Sequence, residues 1–173
     1  MRFMLALMLA ALAIPAIAAT DPPITLQWDQ LVPVEQRAKA LAGDTIQNMP
    51  PAFRREDDDP SARRKEILNS LTAAYNGKRV RIPGFIVPLA MDGTEVKEFL
   101  LVPWFGACIH VPPPPPNQIV YVASNEAVSV EDIYDPVWVT GVLTTAVLST
   151  ELADTGYTLQ GESIEPYGED KKQ

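Results

Sequence analysis

The sequence predicts a mainly β fold, in which a helix precedes a small barrel of five strands. The hydrophobic pattern changes from a helical period before Gly77 to an alternating, strand-like period after it. Five strand-like segments then follow at close spacing, and Pro83 and Gly84 inside the first of them favour a bend. Bent strands of this number suggest a closed or partly open barrel, and an open sheet with one helix on its face is the alternative.

Residues 1–18 have the pattern of a secretory signal peptide. One positive charge, Arg2, precedes an apolar run over 3–14, Pro15 ends that run, and the small residues at 16–18 fit a cleavage site. We therefore expect an exported, periplasmic protein that does not span the membrane after cleavage. The net charge of −8 argues against nucleic acid or anionic lipid as a partner, because phosphate contacts need clustered Lys and Arg.

Four regions follow from the chain's pattern. They are the signal peptide (1–18), an N-terminal arm with a charged, proline-rich loop (19–60), a helix with the barrel (61–168) and a tail expected to be disordered (169–173). In the arm, Trp28 and Leu31 are expected to anchor onto the core, and 34–42 is expected to form a short helix. The best-defined helix is predicted over 61–77, where apolar residues share one face: Ile67, Leu68, Leu71, Ala74 and Tyr75.

The predicted strands lie between turn signals. Val80 and Ile82 alternate with charged residues in the first strand, and Asp92-Gly93 is a turn signal before the second. Gly141 suggests an interruption in the fourth strand. The five segments are 78–89, 96–104, 118–124, 135–149 and 156–167.

The stretch ACIHVPPPPPNQ holds the only cysteine and the only histidine of the chain, Cys108 and His110. In a strand these two side chains would lie on one face, where a thiolate and an imidazole suit zinc or copper. An open site would then take further ligands from acidic side chains or water. The acidic candidates are Asp92, Glu95, Glu98, Glu126, Asp132 and Asp135.

Two other interpretations of the same residues stay open. Cys108 activated by His110 could act as a nucleophile, with Asn117 orienting the ring, although the sequence suggests no substrate. Alternatively, Cys108 packs as a small apolar side chain and His110 secures the end of a strand.

The proline run is expected to form a rigid polyproline helix. It could bind an aromatic groove of a partner, but an internal role is favoured, with an aromatic cradle formed by Trp104, Phe105, Tyr121 and Trp138. The motif residues assigned to this structural role are Pro112, Pro113, Pro114, Pro115, Pro116, Asn117 and Gln118.

The segment FLLVPWFGACIHVPPPPPNQ, with GKRVRIPGFIVPL before it and YDPVWVTGVL after it, resembles a bacterial exported family catalogued as domain of unknown function 3299. The resemblance covers about residues 24–167. It implies a barrel like those of oligonucleotide/oligosaccharide-binding (OB) proteins, and genes that often lie beside a transporter of the ATP-binding-cassette (ABC) type, some of them linked to zinc.

The leading functional hypothesis is therefore a periplasmic accessory protein of a zinc-linked ABC-type transport system. It would bind the metal weakly through Cys108 and His110. The alternative is a non-enzymatic interaction module, docking on a permease or another envelope protein, in which both residues and the proline run are structural. No catalytic residue is assigned, and the oligomeric state is left open.

Overall fold

The computed structural model describes residues 22–37, 60–108 and 113–168. The α-helix Pro60–Asn69 precedes five long strands, and three strands of two residues each are also present in these ranges. The five long strands confirm the predicted strand number. The strands are β1 (Ile24–Thr25), β2 (Lys78–Asp92), β3 (Glu95–Val102), β4 (Val120–Ser129), β5 (Val137–Thr144), β6 (Leu148–Ser149), β7 (Asp154–Thr155) and β8 (Tyr157–Pro166).

The long strands close into a barrel. Their order is β2-β3-β4-β8-β5, and β5 pairs with β2 again, so that each of them has a neighbour on both sides. The β4–β8 pairing is parallel, and the other four pairings of the barrel are antiparallel. The mainly β barrel with a preceding helix is confirmed, and the open sheet is wrong. The more specific likeness to OB barrels stays a prediction.

The predicted bend of the first strand lies where β2 changes partner. Residues Lys78–Gly84 pair with β5, and Phe85–Asp92 pair with β3. A Cβ atom at Gly84 would lie 2.8 Å from the carbonyl oxygen of Val102, so only glycine lets the two backbones approach this closely. The change of partner and the close approach thus coincide at Gly84, while the register irregularities of β2 with β3 lie between Pro88 and Met91.

The predicted interruption at Gly141 is absent, because β5 is continuous through this residue. Gly141 instead permits a close contact with β8, and the register of the β5–β8 pairing shifts between Thr140 and Gly141. A Cβ atom at Gly141 would lie only 2.1 Å from the carbonyl oxygen of Gln160. The prediction of an interruption is wrong: Gly141 marks close backbone packing rather than the end of a strand.

The predicted helix over 61–77 is too long. It ends at Asn69, and turns occupy much of the segment before β2. Tertiary hydrogen bonds use the backbone of Thr72: its N–H donates to the Tyr157 hydroxyl, and its carbonyl accepts from Thr145 Oγ1. Leu71 and Tyr75 still pack against the core, so the apolar positions were identified although their local conformation was not.

The N-terminal arm is fastened to the barrel at both predicted anchors. Trp28–Leu31 forms a 3-10 helix, Leu31 is fully buried, and Trp28 Nε1 donates to the carbonyl of Pro83 over 2.7 Å. Residues 34–37 are helical, whereas 38–42 of the predicted short helix, the charged loop over 49–59, the signal peptide and the tail lie outside the described residues. No helix in the described ranges is both long and apolar enough to cross a membrane.

The two faces of β3 serve two apolar clusters. Phe99 and Leu101 point into the barrel core, together with Val80 and Ile82 of β2. Leu100 and Val102 point to the opposite face, where they pack with Val87, Ala107 and Ile119. We call this second group the outer cluster. The chain after β3 folds over the outer cluster, and Cys108 lies in this segment and packs against the cluster.

Candidate functional site

Cys108 lies in a turn, not in a strand. Its φ angle is +67°, and Cys108 is the one non-glycine residue with a positive φ in the described part of the chain. The left-handed backbone costs an L-residue about 1–2 kcal/mol. The predicted strand geometry, in which Cys108 and His110 share one face, is therefore wrong at Cys108, and His110 lies outside the described residues with Ile109, Val111 and Pro112.

The Cys108 thiol is half-buried against the outer cluster, against which Trp104 and Tyr121 also pack. Burial raises the pKa of the Cys108 thiol above its ordinary value. The thiol is therefore neutral at physiological pH. A thiolate nucleophile needs the opposite shift, which a nearby cation would cause.

The acidic candidates for completing a metal site are distributed over the barrel. Glu126 accepts a hydrogen bond from the backbone N–H of Ile164. Glu98 contacts the Tyr121 hydroxyl, whose pKa is raised mainly by burial of the ring and further by Glu98. Within the described ranges, which leave out His110, no three Cys, Asp, Glu or His side chains converge to hold a metal ion.

The end of the proline run is packed into the protein. Pro114 and Pro116 are buried, and a 3-10 helix, Pro116–Gln118, follows. The carbonyl of Pro116 accepts a hydrogen bond of 2.7 Å from the N–H of Gly156. A Cβ atom at Gly156 would overlap Leu71 at 2.5 Å and approach the Pro116 carbonyl at 3.0 Å. The run thus ends in a tightly packed joint between the barrel and the residues after the helix.

The two amides after the prolines hold the arm. Gln118 Nε2 donates to the carbonyl of Trp28 over 2.7 Å, and Asn117 Nδ2 donates to Gln36 Oε1 over 3.3 Å. Gln36 in turn donates to the hydroxyl of Ser70. We call Asn117 and Gln118 the amide clamp. Asn117 is only 3% exposed, and its amide nitrogen is used within the fold.

The predicted aromatic cradle does not form as one group. Trp104 and Tyr121 do contact the outer cluster near Cys108. Trp138, however, lies under the guanidinium of Arg81 at 4.3 Å and beside Tyr167. Phe105 points elsewhere, towards a surface that sequence analysis did not identify.

That surface consists of three rings, which we call the aromatic patch. Phe105 lies 5.9 Å from Phe85 in an edge-to-face arrangement and 6.4 Å from Tyr134, measured between ring centroids. Phe105 is 56% exposed and Tyr134 is 66% exposed, whereas Phe85 is half-buried and packs on the outer cluster. The patch is thus a solvent-facing extension of the packing around Cys108.

The loop that carries Tyr134 is acidic. The loop over 130–136 that carries Tyr134 also carries Glu131, Asp132 and Asp135, all exposed, and no Lys or Arg. None of these three carboxylates forms an ion pair with another described residue. The patch therefore combines exposed rings with uncompensated negative charge. Sequence analysis considered Asp132 and Asp135 only as metal ligands, and nothing in the sequence signalled that Tyr134 would meet Phe105.

Comparisons with known proteins show the family of this chain. A DUF3299 family protein from Pseudomonas aeruginosa PAO1 has a crystal structure that is similar to this chain, with a TM-score of 0.64 and 36% sequence identity. The match covers 84% of this chain and 97% of that one. No curated protein matches significantly. The family model described as "Protein of unknown function (DUF3299)" matches residues 28–166, and the chain belongs to this family.

Proposed function

We propose that this protein is a periplasmic accessory protein that acts by binding another envelope protein, not by catalysing a reaction. The observation that carries the proposal is the aromatic patch of Phe85, Phe105 and Tyr134. Large exposed rings that contact each other are costly in water, and aromatic side chains are enriched where proteins bind proteins. An ABC-type permease is one candidate partner, because genes of the resembled family often lie beside such transporters.

A strand of the barrel and a buried residue hold the aromatic patch in place. Phe85 belongs to β2 at its change of partner, and Ala107, two residues after Phe105, is fully buried in the outer cluster. The turn through Cys108 and the packed prolines then return the chain to the barrel. A preformed surface of this kind loses little conformational entropy when a partner binds.

Site-specific photo-crosslinking tests the proposal. We expect benzoylphenylalanine introduced at position 105, in cells of the native host, to give a discrete adduct with one envelope protein. The same group at position 167, where Tyr167 is comparably exposed at 53%, serves as the control and should give none. Tyr134→Ala should remove the adduct made from position 105. A lack of any adduct at position 105, or equal adducts at both positions, would contradict the proposal.

A second candidate function is weak zinc binding by Cys108 and His110. The observation that favours it is the left-handed backbone of Cys108, since strained residues are concentrated at functional sites. The half-buried thiol would supply one soft ligand after losing its proton. Because burial raises its pKa, zinc binding should strengthen as the pH rises.

Thiol reactivity and native mass spectrometry distinguish the two candidates. With a zinc site, Zn²⁺ should block alkylation of Cys108 and give an adduct that Cys108→Ser/His110→Ala lacks. With a packing role, alkylation in the native state should be slow at neutral pH, should accelerate as the pH rises through the raised pKa, and should not respond to Zn²⁺. An adduct that persists in the double variant would rule out this pair as the ligands.

A further inference from the structure

The aromatic patch carries an inference about the chemistry of its partner, which rests on the proposed binding function. We infer that the partner presents a basic, apolar segment, in which Arg or Lys alternates with aliphatic or aromatic side chains. The apolar residues would cover Phe105 and Tyr134. The cations would face the carboxylates of Glu131, Asp132 and Asp135.

Charge complementarity is the first argument. The three carboxylates surround Tyr134 in sequence, are exposed, and have no ion-pair partner among the described residues. Two exposed carboxylates of β8, by contrast, are paired: Glu162 contacts Arg79 and Glu165 contacts Arg81. The loop over 130–136 thus leaves its negative charge available on the segment that carries Tyr134. Opposite potentials of this kind direct association and exclude acidic partners.

The rings themselves also suit a cation. The faces of Tyr and Phe attract guanidinium and ammonium groups within about 6 Å of the ring centre. The same chain uses this contact internally, where the Arg81 guanidinium lies 4.3 Å above the Trp138 ring and also pairs with Glu165. At the patch, Tyr134 and the adjacent carboxylates offer the same combination of ring and acid, but without the arginine.

Competing occupants fit less well. A second copy of the chain would bring the carboxylates of one patch against those of the other, because a twofold contact pairs identical surfaces. Anionic lipid and nucleic acid would meet like charge on a chain with a net charge of −8. A neutral apolar segment would cover the rings but would leave the acidic loop without a counterpart.

Peptide titration followed by NMR tests the inference on the mature protein. The probe is an octapeptide of alternating Arg and Leu, and the matched probes replace Arg by Gln or by Glu. We expect the Arg-Leu peptide to shift the ring resonances of Phe105 and Tyr134, with binding that weakens as salt is added. Phe105→Ala/Tyr134→Ala should reduce the affinity for the Arg-Leu peptide about tenfold or more, which corresponds to about 1.4 kcal/mol of binding free energy.

Variants that remove carboxylates from the loop test whether the partner must be basic. Asp132→Asn/Asp135→Asn should weaken Arg-Leu binding and lower its salt dependence, while Glu151→Gln, an exposed carboxylate outside the loop, should leave both unchanged. Equal binding of the Gln-Leu peptide, or shifts confined to residues outside the patch, would overturn the inference. If position 105 still crosslinks to an envelope protein in that case, binding by the patch stands and only the basic partner is wrong.

Discussion

We expect Gly141→Ala to lower the free energy of unfolding by about 3 kcal/mol or to prevent folding, because overpacking against a rigid neighbour costs 1–3 kcal/mol and occasionally more. The new Cβ atom would lie 2.1 Å from the carbonyl oxygen of Gln160 and 2.8 Å from its carbonyl carbon. Both atoms belong to the backbone of β8, which is held on its other side by β4. Relief of the overlap would therefore require the barrel to separate at the β5–β8 seam.

Urea unfolding of the variant and the parent protein measures this effect, and Gly77→Ala is the matched control. Gly77 has a φ of +72° and open space around its Cβ position, so alanine there adds backbone strain of about 1–2 kcal/mol without any overlap. If the two variants lose equal stability, close packing at the seam is not what requires glycine at position 141.

Tyr157→Phe has the second largest expected effect, a loss of about 1–3 kcal/mol, because it leaves buried polar groups without partners. The Tyr157 hydroxyl donates to the carbonyl of Leu31 over 2.7 Å and accepts from the N–H of Thr72 over 3.0 Å. One fully buried side chain thus connects the barrel to the arm and to the residues after the helix. Removal of the hydroxyl should loosen both attachments, so that proteases cleave the arm faster.

The alkaline pH dependence of stability provides an independent check on Tyr157. Burial raises the pKa of Tyr157 to about 12, although the hydrogen bond from Thr72 acts in the opposite direction. A raised pKa in the folded state means that the neutral hydroxyl stabilises the fold. This contribution is complete below pH 10, the ordinary tyrosine value, and is lost between pH 10 and about 12.

We therefore expect the stability of the parent protein to fall faster than that of Tyr157→Phe between pH 10 and 12. Tyr167→Phe, at an exposed position, is the control and should change stability by less than about 0.5 kcal/mol at neutral pH. Parallel stability curves for the parent and Tyr157→Phe would show that this hydroxyl does not titrate as a buried group.

The motif that is most conspicuous in the sequence has two different roles in the structure. Its second half, Pro116–Gln118, is internal, and the amide clamp joins the arm to the barrel. At its start, Ala107 and Cys108 pack on the outer cluster. The proposed binding surface lies just before the motif, at the exposed Phe105.

Local signals in the sequence predicted the barrel strands well. Val80 and Ile82 alternate with charged residues, and both are buried in the core. Asp92-Gly93 ends the first strand, with Gly93 at a φ of +62° that glycine adopts without strain. These features depend on neighbours within a few residues, so the chain itself determines them.

Tertiary structure decided the remaining features, because they depend on contacts between distant residues. The helix ends at Asn69 because Tyr157 and Thr145 use the backbone of Thr72. Gly141 permits a close approach to Gln160 instead of ending its strand. The aromatic patch joins Phe85, Phe105 and Tyr134 from three parts of the chain. The sequence by itself determined which residues are buried in strands and where the chain turns, whereas the closed barrel alone decided which surfaces meet.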